Sequence, residues 1–185
     1  MQANKKQKPL VFVCHSMGGL VAKQAYILSR QQPQYRRIGT LLRSIFFLAT
    51  PHRGSDLAET LSRILSVSPG DRPFVGDLHP SSKAIQSINE EFPRYSDDLQ
   101  LHSFYETQPM QLGLKKGLVV KRDSAILEYW NERATYLDAD HRHVCKFESQ
   151  TSANFRAVRN ALAASFNSLI VKPDSVHNWP ESIPF

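Results

Sequence analysis

Cysteine is scarce in this sequence. Cys14 and Cys145 are the two cysteines in 185 residues, too few for a disulfide framework or a cysteine-ligated metal cluster. So little cysteine is typical of a reducing compartment. At this length the chain can bury a substantial core, so we expect an intracellular domain that is held together by apolar packing.

Long apolar runs are also lacking. No stretch reaches the roughly 20 residues that a membrane-spanning helix needs, and the first residues lack the pattern of a secretory signal peptide. Cytoplasmic location is therefore the default expectation.

Acidic residues are outnumbered, with 17 Asp and Glu against 23 Lys and Arg, for a formal net charge of +6. Aromatic and basic residues are not interleaved as in nucleic-acid grooves, so we expect no nucleic-acid partner.

Lys5, Lys6 and Lys8 form a small cluster, which a solvated face explains most simply. Peripheral contact with an anionic membrane, through these lysines and the loop 66–80, is an alternative.

The order of apolar patterns predicts one domain over residues 1–171, followed by a tail or linker at 172–185 that carries three prolines. Short apolar runs alternate with helical patterns, which is typical of a parallel sheet with helices on its faces. The predicted strands are 9–13, 44–49, 99–105 and 134–137. The predicted helices are 18–30, 55–65, 81–92 and 155–169. Residues 66–80 and 108–116 are interpreted as loops.

An apolar strand runs directly into a serine at position 16, and a helical pattern begins at once. Strand, sharp turn and helix with a serine at the apex is the geometry of a nucleophile elbow. We predict a strained backbone at Ser16, an oxyanion contact from the Met17 amide, and close helix–strand approach at Gly18. His15 and Gly19 complete the predicted turn.

The elbow pattern is imperfect, because Cys14 stands where the first glycine of Gly-x-Ser-x-Gly is usual. Cysteine is small enough for the turn to form. A buried serine in an ordinary strand-to-helix turn is the alternative interpretation of this stretch.

A serine nucleophile needs a base, and the base needs an orienting acid. Glu106 ends the third predicted strand, and His141 follows the last one. Parallel strands meet at one edge of their sheet, so we predict a triad of Ser16, His141 and Glu106. Asp123, just past the apolar run 118–120, stays open as the alternative acid.

Two other histidines compete for the role of base. His143 lies close to His141 in the same polar segment. His52 lies in a loop with Pro51 and Gly54 after the second predicted strand, which is too early in the chain order, so a loop-shaping role is expected.

Four ordered stretches carry a resemblance to a known family. They are Cys14-His15-Ser16-Met17-Gly18-Gly19-Leu20-Val21, Ala49-Thr50-Pro51-His52-Arg53-Gly54-Ser55, Ser103-Phe104-Tyr105-Glu106-Thr107 and Asp140-His141-Arg142-His143-Val144-Cys145-Lys146-Phe147. Together they resemble the serine esterase (lipase-like) family of α/β-hydrolases. The most similar members are the serine active site-containing proteins and the N-terminal domains of fungal NACHT and ankyrin-repeat proteins.

The resemblance implies an α/β-hydrolase fold, Ser16 as nucleophile, His141 as base, and a lipid or small ester as substrate. No metal or cofactor is needed for such chemistry. Because this chain begins almost at the elbow strand, we expect a partial fold that lacks the strands before the elbow. The family also implies mitochondrial or endoplasmic reticulum membrane association. A non-catalytic sensor or scaffold module, followed by NACHT or repeat domains, is the alternative function.

Overall fold

The computed structural model describes residues 8–53, 57–67 and 83–171. The strands are β1 (Leu10–His15), β2 (Leu42–Leu48), β3 (Gln100–Glu106), β4 (Met110–Leu112), β5 (Lys115–Gly117) and β6 (Glu132–Leu137). The helices are α1 (Gly18–Gln31), α2 (Arg36–Leu41), α3 (Leu57–Val67), α4 (Lys83–Glu91), α5 (Arg122–Ala125) and α6 (Ala153–Val171). The predicted tail 172–185 and most of the predicted loop 66–80 lie outside the described residues.

The main sheet is parallel throughout and has the strand order β1-β2-β3-β6. Both central strands are buried on both faces, which explains why β2 is a nearly continuous apolar run. All four strands point the same way, so their carboxyl ends lie along one edge. The fold class is therefore α/β, a mostly parallel sheet flanked by helices, as predicted.

Alternate residues of β2 pack into separate cores on the two faces of the sheet. Ile45 and Phe47 pack with Tyr26 and Ile27 of α1 in one cluster. Phe46 and Leu48 pack in the other cluster, which includes Val158 of α6. This period of two is the pleat of a strand, and it places α1 and α6 on opposite faces.

A third apolar cluster covers the carboxyl edge of the sheet next to the elbow. Its buried members are Leu20, Leu61, Ile64, Ile85, Val119, Val120 and Ala125. They come from α1, α3, α4 and the segment between β5 and the end of α5. This cluster shields one side of the site described below from water.

Strand β3 forms where the sequence predicted a strand at 99–105, and its polar residues His102 and Ser103 are buried. His102 stacks on Phe46, with ring centroids 4.2 Å apart. The predicted loop 108–116 contains the antiparallel pair β4–β5, which turns at Gly113 with φ of 65°.

Across 8–53, 57–67 and 83–171, no helix is both long and apolar enough to cross a membrane.

Candidate active site

Ser16 lies at the apex of a sharp turn between β1 and α1. Its φ of 55° is in the left-handed region, which is strained for a residue with a side chain. The Ser16 amide donates to the Leu48 carbonyl at 2.9 Å, and the Gly19 amide donates to the Ser16 carbonyl at 3.1 Å. The turn is thus anchored to β2 on one side and to the helix on the other.

Close helix–strand approach occurs at Gly19, whereas the sequence predicted it at Gly18. A Cβ at Gly19 would lie 2.3 Å from Thr50 Oγ1 and 2.9 Å from Phe47 Cδ1. A Cβ at Gly18 would meet no atom within 4 Å. The prediction for Gly18 was therefore wrong, because the elbow rotates this residue toward solvent and turns the next toward β2.

The predicted base lies beside this serine. His141 follows β6 and is almost fully buried, with its Nε2 3.0 Å from Ser16 Oγ. Its Nδ1 lies 2.7 Å from Glu106 Oε2. A carboxylate oxygen can only accept, so Nδ1 carries the proton and Nε2 is free to accept from the serine hydroxyl. The three side chains therefore form one continuous hydrogen-bonded chain.

The second oxygen of Glu106 is held by two backbone amides. Oε1 accepts from Val119 at 2.5 Å and from Val120 at 3.0 Å, and all these groups are buried. Two amide donors satisfy and orient a carboxylate that would otherwise be costly to bury. These two donors were not predicted from the sequence. A buried carboxylate at a strand end requires partners, but nothing in the sequence showed which amides supply them.

The competing residues are placed elsewhere. The Asp123 side chain is 90% exposed and pairs with Arg122 at 3.6 Å. The His143 side chain is 63% exposed and binds the Asp140 carboxylate at 2.7 Å through Nδ1. The structure therefore brings Glu106 and His141 to Ser16, and it brings neither Asp123 nor His143 to that serine.

Backbone contacts fix the loop that carries His141. The Ala139 carbonyl accepts from the amides of Thr107 and Gln108, the residues that follow Glu106. Asp140 Oδ1 accepts from the Arg142 and His143 amides at 2.9 and 3.0 Å, which caps the turn. The loop 138–143, which carries His141 and is called the base loop below, is thus bound to the end of the strand that carries Glu106.

His15 ties the same loop to the strand that carries the serine. Its Nε2 lies 2.8 Å from the His141 carbonyl oxygen, and the two rings lie 5.0 Å apart at their centroids. Because a carbonyl can only accept, His15 Nε2 is the donor. Burial lowers the pKa of His15, so its ring is neutral at pH 7.

The predicted site loop 51–54 is described up to residue 53, so Gly54 lies outside the described residues. Pro51 and His52 are buried. The His52 amide donates to the Ser124 carbonyl at 2.7 Å, and its ring packs edge-on to Phe47. Neither ring nitrogen has a hydrogen-bond partner within the described ranges. Burial holds the pKa of His52 well below its usual value, so His52 is a neutral packing residue.

Helix α1, which follows Ser16, carries a buried lysine. Lys23 is completely buried and donates to Asn89 Oδ1 at 3.0 Å. Its ammonium lies 5.2 Å from the ring centroid of Phe92 and 5.9 Å from that of Phe47. Burial lowers the pKa of Lys23 to about 7.

Fold and site together define a structural class. The chain is an α/β protein with a buried Ser–His–Glu chain of hydrogen bonds at the carboxyl edge of a parallel sheet, and its serine lies on a strained strand-to-helix turn.

The sequence is similar to those of known proteins. The chain is similar to Protein SERAC1 of Bos taurus, with 33% identity over 165 residues, covering 84% of this chain and 24% of the relative. Protein SERAC1 of Homo sapiens is 30% identical with the same coverage. Protein SERAC1 of Danio rerio is 31% identical over 148 residues, which cover 78% of this chain and 22% of the relative. The chain thus spans about a quarter of these relatives' length.

No protein-family model matches the chain. Among solved structures, a lipase-esterase related protein from Clostridium acetobutylicum aligns over 91% of this chain and 68% of its own, with 13% identity and a TM-score of 0.38.

Proposed function

We propose that this chain is a serine hydrolase of the esterase or lipase type, which acts on a lipid or other ester through an acyl-enzyme. One observation carries the proposal: His141 Nε2 lies 3.0 Å from Ser16 Oγ while its Nδ1 lies 2.7 Å from Glu106. A nucleophile, a base within hydrogen-bond reach and an acid that orients the base are the parts that acyl transfer needs.

In the proposed mechanism, His141 removes the hydroxyl proton as Ser16 Oγ attacks the ester carbonyl carbon. The carbonyl π electrons move to oxygen, and the tetrahedral oxyanion lies beside the Met17 amide. This amide precedes the first helical residue, where N–H groups lack partners inside the helix. The imidazolium returns its proton to the leaving alcohol as the ester C–O bond breaks. A water molecule then attacks the acyl carbonyl carbon as His141 accepts its proton. The bond between the acyl carbon and Ser16 Oγ breaks, His141 returns the proton to Oγ, and the acid leaves.

Glu106 stabilises the imidazolium that forms in each step. Its carboxylate keeps the proton on His141 Nδ1, so Nε2 faces the serine in both half-reactions. The two amides on Oε1 hold the carboxylate in place while the charge on the ring changes.

The surroundings of the elbow support an apolar acyl group as part of the substrate. Met17 packs against the cluster that contains Leu20 and Val119, to which β4 adds Met110 and Leu112. The four ordered motifs and the similarity to Protein SERAC1 support placing the chain in the serine esterase family, and lipid esters are the substrate class that this family implies.

The proposal is tested by fluorophosphonate labelling of the purified chain, followed by mass-spectrometric mapping and assay with p-nitrophenyl esters of increasing chain length. We expect labelling at Ser16 and turnover of the esters. Ser16→Ala should abolish both, because Ser16 Oγ is the nucleophile in the proposed mechanism.

Ser62→Ala is the matched control, since Ser62 is an exposed serine on α3. It should leave labelling and turnover unchanged. Undiminished hydrolysis by Ser16→Ala, or a wild-type chain that neither labels nor hydrolyses any ester, would contradict the proposal.

A further inference from the structure

The three segments that meet at the site are joined by backbone contacts as well as by the side chains of the proposed triad. The end of β3 is tied to the base loop by the Thr107 and Gln108 amides, which donate to the Ala139 carbonyl at 3.2 and 3.1 Å. These bonds set the distance between Glu106 and His141. They do not touch the strand that carries the serine.

His15 supplies the corresponding tie on the serine side. It immediately precedes Ser16, and its Nε2–H donates to the carbonyl of His141 at 2.8 Å. One bond therefore connects the residue next to the proposed nucleophile with the backbone of the proposed base. Its two ends are 126 residues apart in the chain.

The hydrogen bond of His15 ends on the backbone of His141 and not on a reacting atom. Any role of His15 in catalysis through this bond is therefore exerted through His141. The ring rests against the imidazole of His141, with centroids 5.0 Å apart. Because burial lowers the pKa of His15, the ring adds no positive charge beside the imidazolium that forms during turnover.

We propose that His15 is a positioning residue, whose Nε2–H bond to the His141 carbonyl holds the base at hydrogen-bond distance from Ser16. This inference rests on the proposed function and assigns a role to a residue outside the triad. Loss of the donor would leave a buried carbonyl unpaired and allow the base loop to shift away from the elbow.

Two substitutions separate the hydrogen bond from the packing of the ring. His15→Phe keeps an aromatic ring against His141 and removes the donor. His15→Gln keeps a donor at the position of Nε2, because the Gln Nε2 lies the same number of bonds from Cβ.

We expect His15→Phe to lower kcat by about 10- to 100-fold, since small misplacements of catalytic groups have effects of that size. KM should stay within about twofold, because the His15 bond contacts no substrate. The rate of fluorophosphonate labelling at Ser16 should fall in parallel with kcat. His15→Gln should recover most of the loss, and His143→Gln, which removes an exposed imidazole from the same loop, should resemble wild type.

A second pair covers the case in which His15→Phe does not fold. His15→Gln and His15→Asn are both polar and similar in size, but the Asn amide is one bond shorter and cannot reach the His141 carbonyl. Equal kcat values for these two variants, or wild-type kcat in His15→Phe, would overturn the assignment.

Crystal structures of wild type and variant test the inference without activity. We expect the Ser16 Oγ–His141 Nε2 distance to lengthen beyond 3.5 Å in His15→Phe, or in His15→Asn if that variant is used. An unchanged distance overturns the positioning role even in an active enzyme. If the wild-type chain shows no turnover but the distance is longer in the variant than in wild type, the positioning role is supported while the proposed hydrolase function fails.

Discussion

Both carboxylate oxygens of Glu106 accept hydrogen bonds at this site. His141 occupies one oxygen, and the Val119 and Val120 amides occupy the other. The two sequence candidates for the acid are therefore in very different environments, since Asp123 is exposed to solvent.

This difference predicts the outcome of a pair of amide substitutions. Glu106→Gln should lower kcat by about 10⁴-fold, because a neutral amide neither stabilises the imidazolium nor fixes the correct tautomer of His141. Asp123→Asn should leave kcat within about twofold of wild type. The measurement is steady-state hydrolysis of a p-nitrophenyl ester, and a larger loss in Asp123→Asn than in Glu106→Gln would show that the acid has been misassigned.

At the scale of secondary-structure elements, the close contact of α1 with β2 depends on glycine, which has no side chain, at position 19. Gly19 lies against Thr50 and Phe47, whereas Gly18 faces open space. The two adjacent glycines therefore differ in what a methyl group would meet.

We predict that Gly19→Ala lowers the free energy of unfolding by about 1–3 kcal/mol, as overpacking of a tight contact does. Gly18→Ala should change it by less than about 1 kcal/mol, and in the stabilising direction, because alanine favours the helix. Urea titration followed by circular dichroism measures both. Equal effects of the two substitutions would contradict the assignment of the close approach to Gly19.

Helix α1 also buries the ammonium of Lys23, which makes stability depend on pH. Burial opposes the ammonium form of Lys23, and the negative charge of Glu132 favours it to a smaller extent. With a folded pKa of about 7 and an unfolded value near 10.5, the unfolded chain binds more protons between these values. The free energy of unfolding therefore rises as pH increases from about 7 toward 10.5.

Lys23→Met should remove this rise and stabilise the chain at pH 6, because an apolar side chain of similar length replaces a cation that is costly to bury. Thermal unfolding between pH 6 and pH 10 tests it, with Lys115→Met on the exposed pair β4–β5 as the control for loss of one lysine. A pH dependence that persists in Lys23→Met would assign it to another group.

Sequence patterns predicted most elements because each buried face imposes its own period. The apolar run 44–49 became β2, and residues 155–169 became α6, since both bury residues at regular intervals. The pair β4–β5 was missed because its short strands are partly or fully exposed. The pattern of 99–105 predicted β3, and the helices on both faces of the parallel sheet bury its polar residues His102 and Ser103.

At the scale of the whole molecule, the positions of Ser16, Glu106 and His141 followed from one rule: parallel strands end at a common edge. That rule placed the three residues together without any knowledge of loop conformation. The amides of Val119 and Val120, and the His15 bond to the His141 carbonyl, depend on how loops fold back over that edge. No period or motif records such contacts, so they required the structure.

The long sequence separation within the site has a consequence for how the protein folds. Ser16 and His141 are 125 residues apart, and the sheet between them forms through pairings of distant parallel strands. Such pairings form slowly compared with helices. A chain with α1 and α6 in place but β6 not yet docked on β3 would hold its serine without a base, so chemical reactivity at Ser16 would be among the last properties to emerge during folding.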